Sequence, residues 1–161
     1  RQLELHGHAA LGERALDGVE LGRIERAAWL DLVVTGFASP DVQGVASHES
    51  FPRDELERVM DDMAEAVGFV CYLARRDGAL AGGASQRIFD GVAQLCGAAT
   101  LPEHRRHGVQ SALLQARLEI ASRAGCDIAV VTTQPGSKSQ ENVQKRGFEL
   151  LYTRAILVRE A

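Results

Sequence analysis

The sequence predicts an α/β fold of the α+β kind, one mixed sheet flanked by helices, and three observations carry that expectation. Two Asp-Gly dipeptides, Asp77-Gly78 and Asp90-Gly91, separate three apolar β-type runs. Asp-Gly between such runs marks a tight hairpin, because both central residues of a type I′ turn need positive φ, so the middle of the chain reads as an antiparallel meander. Helical periodicity brackets this meander on both sides. A continuous apolar run, "CDIAVVTT", then follows the second helical block, as expected of a buried central strand.

Taken in order, residues 1–17 show no period and read as a linker or extension ahead of one domain spanning 18–161. "GVELGRI" alternates as a strand does, and Ala27, Leu30, Val34 and Phe37 fall at helical spacing over 24–38, stopped by "SPD". A second helix starts near Pro52 and ends at Gly68, with Leu56, Val59, Met60 and Met63 on its apolar side. The meander strands are "FVCYLARR", "LAGGASQRIF" and "VAQLCGAAT". After them Val109, Ala112, Leu113, Ala116 and Ile120 share one helical face, which places Arg117 outside it, and Gly125 stops the helix. Ser137 and Gln140 have capping-box spacing at the head of a short helix closed by Gly147. "FELLYTRAILVRE" ends the chain as a long strand.

Composition narrows the function. A chain of 161 residues, 45% apolar and 25% charged, suits a single globular domain with a real core. No run approaches the roughly 20 apolar residues of a spanning helix, and the amino end lacks signal-peptide order, so the expected compartment is the cytoplasm. A net charge of −4 gives no basic footprint for nucleic acid. Cys71, Cys96 and Cys126 form no CxxC pair and read as reduced core residues. His6 and His8 flank a glycine without carboxylate or thiol company, so they read as solvated tail and no metal is expected. The chain begins with Arg1 rather than Met, which suggests part of a longer protein.

The stretch "TLPEHRRHGVQSALL" sets a tight, glycine-containing turn between a strand and a helix start. The first helix amides have no intrahelical acceptor, the macrodipole adds partial positive charge, and glycine admits close approach of a phosphate. A P-loop needs GxxxxGK[ST], and a dinucleotide fingerprint needs GxGxxG after a parallel strand. Neither string is present.

What the residues resemble is the pyrophosphate loop of the GNAT superfamily of acyl-CoA-dependent N-acetyltransferases, Q/R-x-x-G-x-G/A. Arg105-Arg106-His107-Gly108-Val109-Gln110 is similar to it at every position but the last. The segment Ala98-Ala99-Thr100-Leu101-Pro102 resembles the family's "x-x-V-x-P" strand end, and "NVQKRGFELLY" its late helix leading into "GF". The resemblance covers about residues 18–160. It implies a mostly antiparallel central sheet splayed at the cofactor site, with acetyl-CoA as co-substrate. Backbone at Ala98, Ala99 and Thr100 would pair with the pantetheine amides. The amides from Arg106 through Val109 and Gln110 to Ser111 would hold the pyrophosphate, with the Arg105 and Arg106 side chains as added donors and Asn142 reaching the pantetheine arm.

Members of the family often carry a carboxylate base on the strand before the loop or the strand after its helix, and a tyrosine acid four residues before the "GF" glycine. Those positions hold Gln94, Val131 and Val143, none of which moves a proton. Tyr152 is the nearest aromatic hydroxyl in sequence and the one catalytic candidate. The resemblance thus implies transfer of an acetyl group to a primary amine by direct attack in a ternary complex; the alternative is a non-catalytic acyl-CoA-binding or regulatory domain. The acceptor is a small-molecule or peptide amine, met by the first two helices and the loop holding Asp41, His48 and Glu49, with no nucleic-acid or membrane partner. A homodimer or a tandem neighbour of the same family stays open.

Overall fold

The computed structural model describes residues 14–16, 19–23, 26–39, 52–155 and 157. Six strands form one sheet in chain order: β1 (Arg14–Leu16), β2 (Val19–Arg23), β3 (Phe69–Arg76), β4 (Ala79–Phe89), β5 (Val92–Thr100) and β6 (Ile128–Val131). Neighbours from β1 to β5 are antiparallel, and β6 runs parallel to β5. Helices α1 (Arg26–Ala38) and α2 (Arg53–Ala64) precede β3, α3 (Val109–Arg123) joins β5 to β6, and α4 (Lys138–Gln144) follows β6. The meander folds as its turns demand: φ is 53° and 77° at Asp77 and Gly78, and 49° and 75° at Asp90 and Gly91.

The two faces of the sheet carry separate cores. Trp29, Leu32 and Val33 of α1 pack with Met60, Leu73 and Ala99 on one face. On the other, Val109, Leu113 and Ala116 of α3 pack with Tyr72, Ala74 and Ala84. Adjacent strand residues point to opposite faces, and β4 uses two neighbouring glycines to admit both helices. A Cβ on Gly82 would lie 2.7 Å from Val109 Cγ1, and one on Gly83 would lie 2.9 Å from Val33 Cγ2.

Several expectations need correction. Arg14–Leu16, inside the segment read as a linker, is a strand paired with β2; His6 and His8 lie outside the described residues, as do Asp41, His48 and Glu49. The second helix ends at Ala64 rather than Gly68. Val59 and Met63 are exposed, because α2 meets the core along the narrower line Leu56, Met60 and Ala64. "CDIAVVTT" contributes only four strand residues, and these form the sheet edge rather than its centre. The described part of "FELLYTRAILVRE" forms no strand: Phe148 packs on the cluster of Leu95, Leu114 and Val143, and Leu150, Leu151, Tyr152 and Leu157 are exposed. Arg117, placed by the sequence reading on the outer face of α3, is buried. The three cysteines are free and half-buried, and burial pushes the Cys71 thiol up to about 11. Among the described residues no helix is long and apolar enough to cross a membrane.

Candidate functional site

The site grows out of a change in the pairing of β5. Its first residues pair with β4 on one side and β6 on the other, but pairing with β6 stops at Leu95 and Val131. On the β4 side Ser85 faces Cys96, and Gly83 faces Ala99. Three steps along β5 thus match two along β4, which is a bulge at Gly97 and Ala98. Among the described residues, the strand from Cys96 to Thr100 has a neighbour on one side only, and its other edge is open.

A bulge interrupts the ladder and strands buried carbonyls, which must find donors elsewhere. Here side chains supply them from both faces. Trp29 Nε1 donates to the Ala84 carbonyl at 3.0 Å from the α1 side. Arg117 Nη1 donates to the carbonyls of Ser85 at 3.0 Å and Cys96 at 3.2 Å from the α3 side, and its Nε donates to Leu113 in its own helix. Burial lowers Arg117 to about 10, so its guanidinium is still charged at neutral pH.

At the far end of the open edge, Leu101 N donates to the Ala81 carbonyl. Antiparallel alternation then turns Ala99 toward β4 and Thr100 away from it. The Thr100 carbonyl accepts from Arg105 Nε at 3.3 Å, and Arg105 Nη2 donates to Gly36 at 3.5 Å and to Ser39. The Arg105 guanidinium, expected on the loop as an anion donor, is therefore committed to main-chain carbonyls. It caps the C-terminal end of α1, where a cation is favoured. The contact is close because α1 lies against the edge: a Cβ on Gly36 would fall 2.5 Å from Ala99 Cβ.

The loop that follows turns twice through left-handed backbone, at Arg106 (φ 63°) and Gly108 (φ 78°). Gly108 is the N-cap of α3, with no side-chain cap, and Ala112 N makes its bond to Gly108 O. The amides of Val109, Gln110 and Ser111 therefore head the helix without intrahelical acceptors. Val109 is buried against Gly82 and anchors the helix start, while Arg106, His107, Gly108 and Ser111 are exposed and Gln110 is half-buried. Thr100 Oγ1 and His104 Nδ1 are buried beside this loop with no hydrogen-bond partner among the described residues.

The remaining sequence candidates lie apart. Gln94 is exposed on β5 between Arg87 and Val130, Val131 is half-buried and Val143 is buried. Asn142 is half-buried on α4, whose cap Ser137 accepts from Gln140 N while the Gln140 side chain accepts from Gly136 N at 2.6 Å. Lys138 and Lys145 hold the Glu141 carboxyl down to about 2. Tyr152 lies on the exposed tail, outside any strand, at 73% exposure. Sequence reasoning missed a buried polar group under α3, made of Arg117, Gln86 and Tyr72. Gln86 Nε2 donates to Tyr72 Oη at 2.9 Å, and burial pushes that phenol up to about 12. A signal for Arg117 existed, since residues 109, 113 and 117 follow one another at i+4 along the buried face.

A mixed sheet with a bulged, half-open strand running into a helix headed by free amides defines an acyltransferase-type domain. The chain belongs to the acetyltransferase (GNAT) family, whose model matches residues 36–148. Among solved structures, it is similar to the aminoglycoside N-acetyltransferase AAC(6')-Iy in complex with the bisubstrate analogue CoA-S-monomethyl-acetylneamine, at 22% identity and a TM-score of 0.61, over 89% of this chain and 98% of that one. It is also similar to the PaiA N-acetyltransferase from Thermoplasma acidophilum in complex with coenzyme A, at 15% identity and a TM-score of 0.64, over 84% and 92% of the two chains. A third likeness is to an aminoglycoside acetyltransferase from an uncultured soil metagenomic sample in complex with sisomicin, at 11% identity and a TM-score of 0.57, over 90% and 97%. No curated protein sequence matches the chain.

Proposed function

We propose that the chain is an N-acetyltransferase, working in the cytoplasm, that passes the acetyl group of acetyl-CoA to a primary amine by direct attack in a ternary complex. The observation that carries this reading is the open edge of β5 running straight into the left-handed Gly108 and the free amides of α3. A pantetheine arm has its own amides and would join the edge as an added strand at Ala98 and Thr100. The backbone at 106–111 and the positive end of α3 would take the pyrophosphate, with the exposed Arg106 and His107 beside it. Asn142 on α4 is the side chain assigned to the arm. The likeness to structures that hold CoA and aminoglycosides supports a CoA-type co-substrate and a small amine acceptor.

In the reaction the amine nitrogen attacks the thioester carbonyl carbon, an amide bond forms, and the C–S bond breaks with its electron pair leaving on sulfur. With Gln94, Val131 and Val143 at the usual proton-handling positions, water carries the ammonium proton away. Catalysis comes from holding the two reactants in line and from a backbone amide that polarises the carbonyl. Tyr152 is the hydroxyl assigned to protonation of the thiolate. The outer edge of β6, unpaired among the described residues, and the exposed apolar tail support self-association.

The absence of proton-handling side chains at those three positions favours a second reading, an acyl-CoA-binding module without turnover. Thermal shift and CoA release separate the two. CoA or acetyl-CoA should raise the melting temperature by mass action, far more than NAD does. Acetyl-CoA with a panel of aminoglycosides, polyamines and amino acids should release free CoA, with turnover efficiency climbing toward each amine's own pKa. Equal stabilisation by NAD and CoA would sink both readings, and CoA binding without turnover of any amine would leave the binding module.

A further inference from the structure

Arg117 has no part in the chemistry above, yet it sits at its structural root. It is 3% exposed in the middle of α3, where a charged side chain is ordinarily paired with a carboxylate. Its donors go to main-chain carbonyls instead: Leu113 at 3.1 Å, Ser85 at 3.0 Å and Cys96 at 3.2 Å. Ser85 and Cys96 are the last regular β4–β5 pair before the bulge. Cys96 is also the first residue of β5 beyond its pairing with β6. One nitrogen thus bridges both strands at the point where β5 leaves the β6 ladder and its pairing with β4 is interrupted by the bulge. The opposite end of the open stretch is held the same way, by Arg105 on the Thr100 carbonyl. An apolar side chain of similar length would fill the space under α3 without the desolvation cost of a buried ion, but it would take the Arg117 donor away from both carbonyls beside the bulge.

We propose that Arg117 is a positioning residue for the acyl carrier: by clamping Ser85 and Cys96 it fixes the branch point of β5, and with it the register of the open edge against which the pantetheine arm lies. The inference rests on the acyl-CoA reading. Arg105 is the matching clamp at the loop end, but it also caps α1, so Arg117 is the cleaner residue to test.

The test compares two probes, CoA and 3′-phosphoadenosine 5′-diphosphate, which keeps the phosphates and lacks the pantetheine arm. Calorimetric titration below the melting temperature is run on the wild type, Arg117→Met and Arg117→Lys. The wild type should prefer CoA. Arg117→Met should lose about tenfold in CoA affinity, the worth of one or two arm hydrogen bonds, and keep its affinity for the truncated nucleotide. Arg117→Lys retains a buried donor and should recover part of the preference. A general loosening of the fold would weaken both probes alike, so an equal loss for both overturns the proposal. An unchanged CoA preference in Arg117→Lys together with a folded, unchanged Arg117→Met overturns it too. If Arg117→Met does not fold, a wild-type preference in Arg117→Lys overturns it, and a reduced one supports it. A wild type that binds CoA no better than the truncated nucleotide removes the acyl-CoA reading itself, whatever Arg117 does.

Discussion

The two halves of β5 have opposite mechanical support. The first, up to Leu95, is paired on both sides and sealed by the cluster of Leu95, Leu114 and Val143. The second, from Cys96 to Thr100, is paired on one side through a bulge among the described residues; its Cys96 and Thr100 carbonyls are served by Arg117 and Arg105, and Trp29 serves Ala84 of β4 opposite the bulge. The first half is held by backbone ladders and apolar burial, and the second by side chains that stand in for a missing neighbour. A strand can therefore offer a docking edge to a ligand without fraying, provided donors from flanking helices replace the lost ladder.

Substitutions that strike one half and spare the other test this contrast, and the largest effect belongs to the sealed half. Leu95→Ala removes a side chain only 4% exposed and should cost about 2–5 kcal/mol of stability, read from urea unfolding. CoA affinity of the folded protein should stay within about twofold, because the lost contacts are apolar. A parallel loss of CoA binding would show that the halves are not independent.

Trp29→Phe acts on the open half. It leaves the Ala84 carbonyl without its donor and should cost about 1–3 kcal/mol. Unlike Leu95→Ala, it should weaken CoA binding as well, since Ala84 lies opposite the bulge. An unchanged titration curve would show that the bulge holds its shape without that bond.

Gly108→Val has the smallest effect on stability and is the most selective. A Cβ there would meet nothing within 4 Å, so the change acts through backbone strain at φ 78°, about 1–2 kcal/mol. Relief of that strain re-aims the loop amides, and CoA affinity should fall about tenfold by calorimetry. Equal CoA affinity in this variant would make the loop a structural turn only.

Much of the architecture was legible because it rests on local chemistry. Asp-Gly can turn only in a few ways, and Asp77-Gly78 and Asp90-Gly91 set the meander before any tertiary contact forms. Gly108 ahead of an apolar helical face marked the start of α3, and the spacing of Ser137 and Gln140 marked α4. Errors arose where neighbours distant in sequence arbitrate. The apolar stripe of α2 is narrower than its spacing suggests because its contacts with α1 and the sheet decide which residues are covered. The run at 126–133 was read as central because apolar content reports burial without saying which strands lie alongside.

Arg105 and Arg117 mark the boundary between the two kinds of knowledge. By itself the sequence determined most of the elements, their order and the glycine turn ahead of α3, since turn geometry, helix periodicity and glycine sterics act within a few residues. Only the tertiary structure decided that Arg105 caps α1 instead of waiting on the loop, and that Arg117 turns inward to a bulge. Both depend on carbonyls at least 21 residues away in the chain, at Gly36, Ser39, Ser85 and Cys96. The Ser85 and Cys96 carbonyls meet Arg117 only where β5 parts from β6 and bulges against β4, and the Gly36 and Ser39 carbonyls meet Arg105 only where α1 ends against that strand; contacts created by folding leave no trace in local spacing.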